Sequence, residues 1–241
     1  MKAVILAAGR GSRMGENTAD VPKCMMTLYG QSLLDRCIES LRVASFDYKN
    51  IGIVSGYRHE ILQEKIQALG LKHFHNSNWE TTNMVSSLLT ADEWLRRESC
   101  IVCYSDIIFH PSAVKVLMGS DNEIAITSYT GFWELWQKRF SDPLEDLETF
   151  KSNNGWLVEI GKKPKCKDDI QGQYMGLLFF KPSGWKKVMQ TIKLPLTKPL
   201  EKLDMTTLLH HLIEQGNGIK TFECCEPWFE FDSINDVKMY S

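Results

Sequence analysis

No apolar run in the chain approaches the roughly 18 residues that a membrane span requires. No charge of one sign dominates either. The 28 Lys and Arg stand against 30 Asp and Glu, a net charge of -2, whereas a general nucleic-acid binder carries a basic surplus. The seven cysteines form no even, closely spaced framework, which argues against a disulfide-stapled secreted scaffold and for reduced thiols in a cytoplasmic protein. Internal repeats, low-complexity tracts and Gly/Ser-rich linkers are missing too, so one domain is expected over 1–241. The opening Met1-Lys2-Ala3-Val4-Ile5-Leu6 starts like a signal peptide, but its apolar stretch breaks at Gly9-Arg10-Gly11, too early for one. What is present is ordinary for a globular chain: 43% hydrophobic and 24% charged residues, which excludes wholesale disorder.

The run from Ala3 to Ala8 is continuously apolar and ends in glycines, the pattern of a strand buried on both faces of a parallel sheet. Within 32–43, Leu33, Leu34, Cys37, Ile38 and Leu41 then fall at helical spacing. A short strand over 51–56, a helix over 59–69, a strand over 71–75, a helix over 82–95 and a buried strand over 100–104 follow. Strand and helix signals alternate over about 1–120, so βαβ units with right-handed crossovers are expected. Beyond Glu123 short strands (124–127, 157–160, 175–180, 219–224) mix with loops, aromatic clusters and helices over 183–192 and 203–215.

The first buried strand runs straight into Leu6-Ala7-Ala8-Gly9-Arg10-Gly11-Ser12-Arg13-Met14-Gly15. Glycines there let the backbone turn sharply and present N–H groups to an anion, with Arg13 and Lys23 adding charge. The spacing is not a dinucleotide fingerprint, and no Gly-Lys-Ser/Thr makes it a Walker loop. On the glycines alone, a plain turn stays open. Asp106 closes a strand, where ligand sites of open α/β sheets lie, yet it and Asp232 read equally as helix N-caps. Around Asn76, Thr82, Asn83 and Ser86, groups able to read a pyrimidine edge are also ordinary caps.

Taken whole, Leu6 to Arg13 followed by Pro22-Lys23 resembles the signature of the nucleotidyltransferases that make activated sugars and alcohols. Gly56-Tyr57, Asn76 with Asn83 and Ser86, Asp106, and Glu230-Phe231-Asp232-Ser233 extend the resemblance, which is greatest to the phosphocholine, phosphonate and phosphoglutamine cytidylyltransferase branch. The resemblance implies an α/β fold, a three-layer α/β/α sandwich with a mostly parallel central sheet (Rossmann-like), its nucleotide half over about 1–120 and its acceptor half over about 121–241. It implies transfer of CMP from CTP to a small phosphorylated amine, amino acid such as L-glutamine phosphate, or phosphonate, with release of pyrophosphate. Mg2+ is implied as cofactor, with Asp106 and Asp232 as ligands. Arg13, Lys23 and Asp106 are the implied catalytic residues. The implied nucleotide contacts are Leu6, Ala7, Ala8, Gly9, Gly11, Ser12, Arg13, Lys23, Gly56, Asn76, Asn83, Ser86 and Ser105.

For the acceptor, Trp133 and Trp136 form a helical stripe with Phe140, read either as core or as a pocket wall. Trp228 and Glu230 offer a ring and a charge to an ammonium group. Arg139 would hold a carboxylate if it faced the pocket, and Gln173 and Tyr174 lie in a polar, glycine-rich stretch beside a strand. Cys100 and Cys103 alternate within a buried strand and are expected in the core; His75, His110, His210-His211 and Cys224-Cys225 carry no chemical signal. The expected protein is a cytoplasmic enzyme, alone or as a homodimer, that binds neither nucleic acid nor membrane and serves surface glycan or lipid modification. The rivals are a sugar-1-phosphate nucleotidyltransferase using UTP or GTP, and a catalytically silent nucleotide-binding regulator.

Overall fold

Ala3, Val4, Ile5, Leu6 and Ala7 are all buried in β1 (Lys2–Ala7). Successive side chains of a strand point to opposite faces, so both faces of the sheet are covered at this strand. The computed structural model describes residues 1–240. The further strands are β2 (Thr27–Leu28), β3 (Gln31–Ser32), β4 (Ile51–Ser55), β5 (Lys72–His75), β6 (Cys100–Tyr104), β7 (Ile107–Phe109), β8 (Ile124–Tyr129), β9 (Phe150–Asn153), β10 (Trp156–Ile160), β11 (Gln173–Phe180), β12 (Lys220–Cys224) and β13 (Trp228–Glu230). The helices are α1 (Leu33–Val43), α2 (His59–Leu69), α3 (Met84–Leu89), α4 (Asp92–Leu95), α5 (Pro111–Met118), α6 (Phe132–Arg139), α7 (Pro182–Thr191), α8 (Met205–Glu214) and α9 (Ile234–Tyr240).

Nine strands form one sheet in the order β5-β4-β1-β6-β11-β8-β12-β10-β9. β10 and β11 run against the other seven, so the sheet is mostly parallel. α1 packs with α5, and α8 with α3 and α7, forming the outer layers of a three-layer sandwich. From β1 the chain moves outward through β4 and β5, then crosses back to lay β6 on the other flank of β1. That reversal opens a crevice at the carboxyl ends of β1 and β6, into which the glycine loop and Asp106 both emerge. One apolar core runs from Ala3 to Trp228, and a smaller one gathers Leu28, Leu33, Phe229 and Phe231. All seven cysteines are free thiols, with Cys100 and Cys103 in the core and Cys166 and Cys225 exposed.

The helix expected over 82–95 is two helices. Thr90 bonds back to the carbonyl of Ser87 through its hydroxyl at 2.7 Å, which closes α3, and the chain restarts at Asp92. A two-stranded ribbon, β7 against β13, lies outside the main sheet. Among the described residues no helix is long and apolar enough to cross a membrane.

Candidate active site

Gly11 takes φ +74°, and a Cβ there would lie 2.7 Å from Cβ of Lys23. The loop thus needs glycine twice over, once for its backbone and once to let the lysine pass beneath it. Lys23 follows Pro22 in a short 3-10 turn, and its Nζ donates to Asp106 Oδ2 at 2.6 Å and to Asp232 Oδ1 at 2.9 Å. Burial alone would favour the neutral amine, but Asp106 and Asp232 outweigh it and hold the lysine above its ordinary pKa. Arg13 NH2 donates to the same Asp232 oxygen at 2.9 Å while most of its side chain stays in solvent.

The ribbon explains how two aspartates so far apart in sequence meet. Ile107 pairs with Glu230, and the N–H of Phe231 donates to the carbonyl of Asp106 at 3.0 Å. Neither aspartate serves as a helix cap: His110 caps α5, and the Ser233 hydroxyl accepts from Asp236 N at the start of α9. The Oδ1 atom of Asp106 is buried without a hydrogen-bond partner. No group of three or more His, Cys, Asp or Glu in metal-holding geometry occurs among the described residues. Two carboxylates with an orphaned oxygen nevertheless fit Mg2+, which takes one or two carboxylates and fills its shell with phosphate oxygens and water. Beside them Glu230 is pushed up to about 8 by burial and by the neighbouring Asp232 and Asp106 charges.

Three connected recesses surround this centre. The middle one, about 210 Å³, holds Gly9, Gly11, Arg13, Lys23, Ser105 and the carboxylates. A second, about 120 Å³, opens past Leu6, Ala8 and Gly9 toward Trp79, Thr82, Asn83 and Ser87. Here the structure corrects the sequence reading. Asn83 caps α3 and lines the recess, but Ser86 turns away to the carbonyl of Leu200, and Ser87, one turn after Asn83, takes its place. Asn76 is buried behind the wall, where its amide bonds Thr82 at 2.9 Å and Ser87 at 3.0 Å. Gly56 is also behind it: a Cβ there would lie 2.5 Å from Cβ of Trp79. Ala7 and Ser12 line neither recess.

The third recess, about 300 Å³, runs from Asp232 and Glu230 to Gln173, Tyr174 and Trp228, and on to Asp146, Glu148, Asp204 and Thr206. Arg13 is the one cationic side chain on its wall among the described residues. Trp136 and Trp133 are absent from that wall. Trp136 is core: it stacks behind Trp228 at 6.0 Å and donates its indole N–H to Asp146 at 2.9 Å. The Trp133 ring lies half-buried under Lys167. Arg139 lies behind Asp232 and Glu230, off the recess surface and with its side chain fully buried, so it is not available to hold an acceptor carboxylate. Sequence reasoning missed Glu148, Asp204, Thr206 and Ser87. For Ser87 a signal existed, since a cap at Asn83 puts the residue four positions on over the same face.

The family described as MobA-like NTP transferase domain matches residues 3–161. The chain is 34% identical to a CTP:phosphoglutamine cytidylyltransferase of Campylobacter jejuni subsp. jejuni serotype O:2, over 99% of this chain and 98% of that one. Among solved structures, the inositol-1-phosphate CTP transferase from T. maritima superposes with a TM-score of 0.78 at 23% identity, covering 99% of this chain and 93% of that one. The CTP:phosphocholine cytidylyltransferase from Streptococcus pneumoniae gives 0.72 at 18% identity, covering 99% and 96%. At these identities the two structures speak for the fold alone.

Proposed function

The chain belongs to the MobA-like NTP transferase family and is a nucleotidyltransferase, and from that premise we propose that it transfers CMP from CTP to a small phosphorylated amine or amino acid, glutamine phosphate first among them. One observation carries the reading: a glycine loop, two cations and two aspartates converge between a recess sized for a base and an acidic recess open to an acceptor. The loop amides, Arg13 and Lys23 would hold the triphosphate, and Thr82, Asn83 and Ser87 would face the cytosine. A phosphate oxygen of the acceptor attacks the α-phosphorus of CTP in line. The bond from that phosphorus to the bridging oxygen of the β-phosphate breaks, and pyrophosphate leaves with the electron pair. The nucleophile is already an anion, so no protein base is needed, and positioning with charge neutralisation supplies the rate.

Asp106 and Asp232 would hold Mg2+, which when bound neutralises the charge on the reacting phosphates. Trp228 offers a ring to an ammonium group, and Glu148 and Asp204 offer carboxylates beyond it. Among the described residues the wall beyond Arg13 carries no cation, so its geometry favours the ammonium end of an acceptor, and glutamine phosphate stands first on the 34% identity to a CTP:phosphoglutamine cytidylyltransferase. The proposal extends to a single-domain cytoplasmic enzyme, alone or as a homodimer, whose CMP-activated product serves surface glycan or lipid modification. The test is a pyrophosphate-release screen of CTP, UTP, GTP and ATP against glutamine phosphate, phosphocholine, aminoethylphosphonate and glucose 1-phosphate. CTP with an amine-bearing acceptor is the expected pair; fastest turnover of UTP or GTP with glucose 1-phosphate would overturn the proposal.

A further inference from the structure

The side chain of Arg139, the last residue of α6, is fully buried, its guanidinium 4.6 Å from the Trp136 ring centroid, 5.3 Å from Phe140 and 6.0 Å from Phe229. A cation enclosed by rings is tolerated only where carboxylates face it. Three do. Nε donates to Asp236 Oδ1 at 2.8 Å, while NH2 lies 3.7 Å from Asp232 Oδ2 and NH1 lies 3.8 Å from Glu230 Oε2. NH1 and NH2 make no hydrogen bond, so NH2 acts on Asp232 through charge, while NH1 lies against Glu230, whose carboxyl is raised toward its neutral form. The second oxygen of Asp236 accepts from the N–H of Asp232 at 3.0 Å, and from the N–H and hydroxyl of Ser233 at 2.8 and 2.9 Å. Arg139 thus reaches Asp232 twice: by its field on Oδ2, and through Asp236 on the backbone that carries the side chain. The cleft-side cations Lys23 and Arg13 take the opposite oxygen, Oδ1.

We propose that Arg139, with Asp236 as its relay, is the positioning residue that fixes the Asp232 carboxylate where the nucleotide phosphates and their metal are bound. It touches no substrate. The guanidinium suits the position because its charge is spread over three nitrogens that reach three separate carboxyl groups from one stem, where a lysine would offer a single compact point charge. The inference rests on the cytidylyltransferase reading and on Asp232 acting at the phosphates.

The experiment measures Mn2+ affinity of the CTP-loaded protein by paramagnetic resonance in wild type, Arg139→Lys and Asp236→Asn, with thermal midpoints and steady-state kinetics alongside. Groups that support metal ligands from behind are expected to matter by about 10- to 100-fold in metal affinity. Both variants should show that loss, with a matching fall in kcat and an unchanged KM for the acceptor. Should Arg139→Lys fail to fold, Asp236→Asn, which keeps the side-chain shape, decides alone. A folded variant that binds Mn2+ and turns over like wild type overturns the positioning role. Wild type that binds no Mn2+ with CTP overturns the underlying reading, and this inference with it.

Discussion

At Lys23 a single ammonium bridges the two carboxylates proposed for Mg2+. Its removal leaves Asp106 and Asp232 facing each other without that cation, a repulsion that a divalent ion relieves. Lys23→Ala should therefore lose turnover with every NTP while keeping the order of preference among bases. Its thermal midpoint should also rise more on adding Mg2+ than that of wild type. A variant that only switched nucleotide preference would put the lysine at the base instead. Asp106→Asn should lower kcat by at least about a hundredfold without unfolding the protein, as expected when a preorganised charge at the reacting phosphates is lost; pyrophosphate release and circular dichroism check both clauses. Glu148 lies on the far wall of the acidic recess, open to solvent yet surrounded by protein, and that enclosure raises its carboxyl pKa. If it receives an ammonium group, Glu148→Gln should raise the acceptor KM about 10- to 100-fold, the worth of a charged hydrogen bond, and leave the CTP KM alone.

Loops and short elements carry most of the site. Gly11→Ala would set a Cβ against the Lys23 stem and strain a left-handed backbone, so we expect a loss of about 1–3 kcal/mol in urea unfolding and a raised CTP KM. α4 and α7 are joined by the buried Trp185 indole, which donates to Asp92 Oδ1 at 2.8 Å. Burial would raise the Asp92 carboxyl, but Arg96 and Trp185 hold it below its ordinary value. A carboxylate depressed by folding stabilises above its unfolded pKa and loses that contribution as the pH falls through its folded value. The stability gap between wild type and Asp92→Ala should accordingly be full at pH 7 and shrink below about pH 4, read by thermal melts. The long periodic elements were legible in sequence: β1, α1, β6 and α8 lie within a residue or two of their expected bounds, because burial on a fixed period wrote their pattern. The ribbon of β7 and β13 was not, since three residues carry no period. Which way Arg139 faces was not legible either, for a related reason. Helical spacing gives the stripe that holds it, but not whether that stripe faces a cavity or a buried carboxylate brought from α9.

On the scale of the whole molecule, ligand binding should appear as stability. At CTP with Mg2+ a hundredfold above Kd the native state gains about 2.7 kcal/mol. For a chain of this size that corresponds to a rise of roughly 5–10 °C in Tm, and the other three NTPs should give less. Equal shifts for all four would remove base selection from the proposal. The sheet order also has a consequence in time. β11 must enter between β6 and β8, and β8 has neither of its neighbours, β11 and β12, until residues 173–180 and 220–224 exist. A chain emerging from the ribosome therefore carries three bare strand edges, one of β6 and both of β8, while its middle is being made, the kind of surface that nascent chains lose to aggregation or hand to a chaperone. Asp232 arrives later still, so the glycine loop is translated first and becomes an active site last.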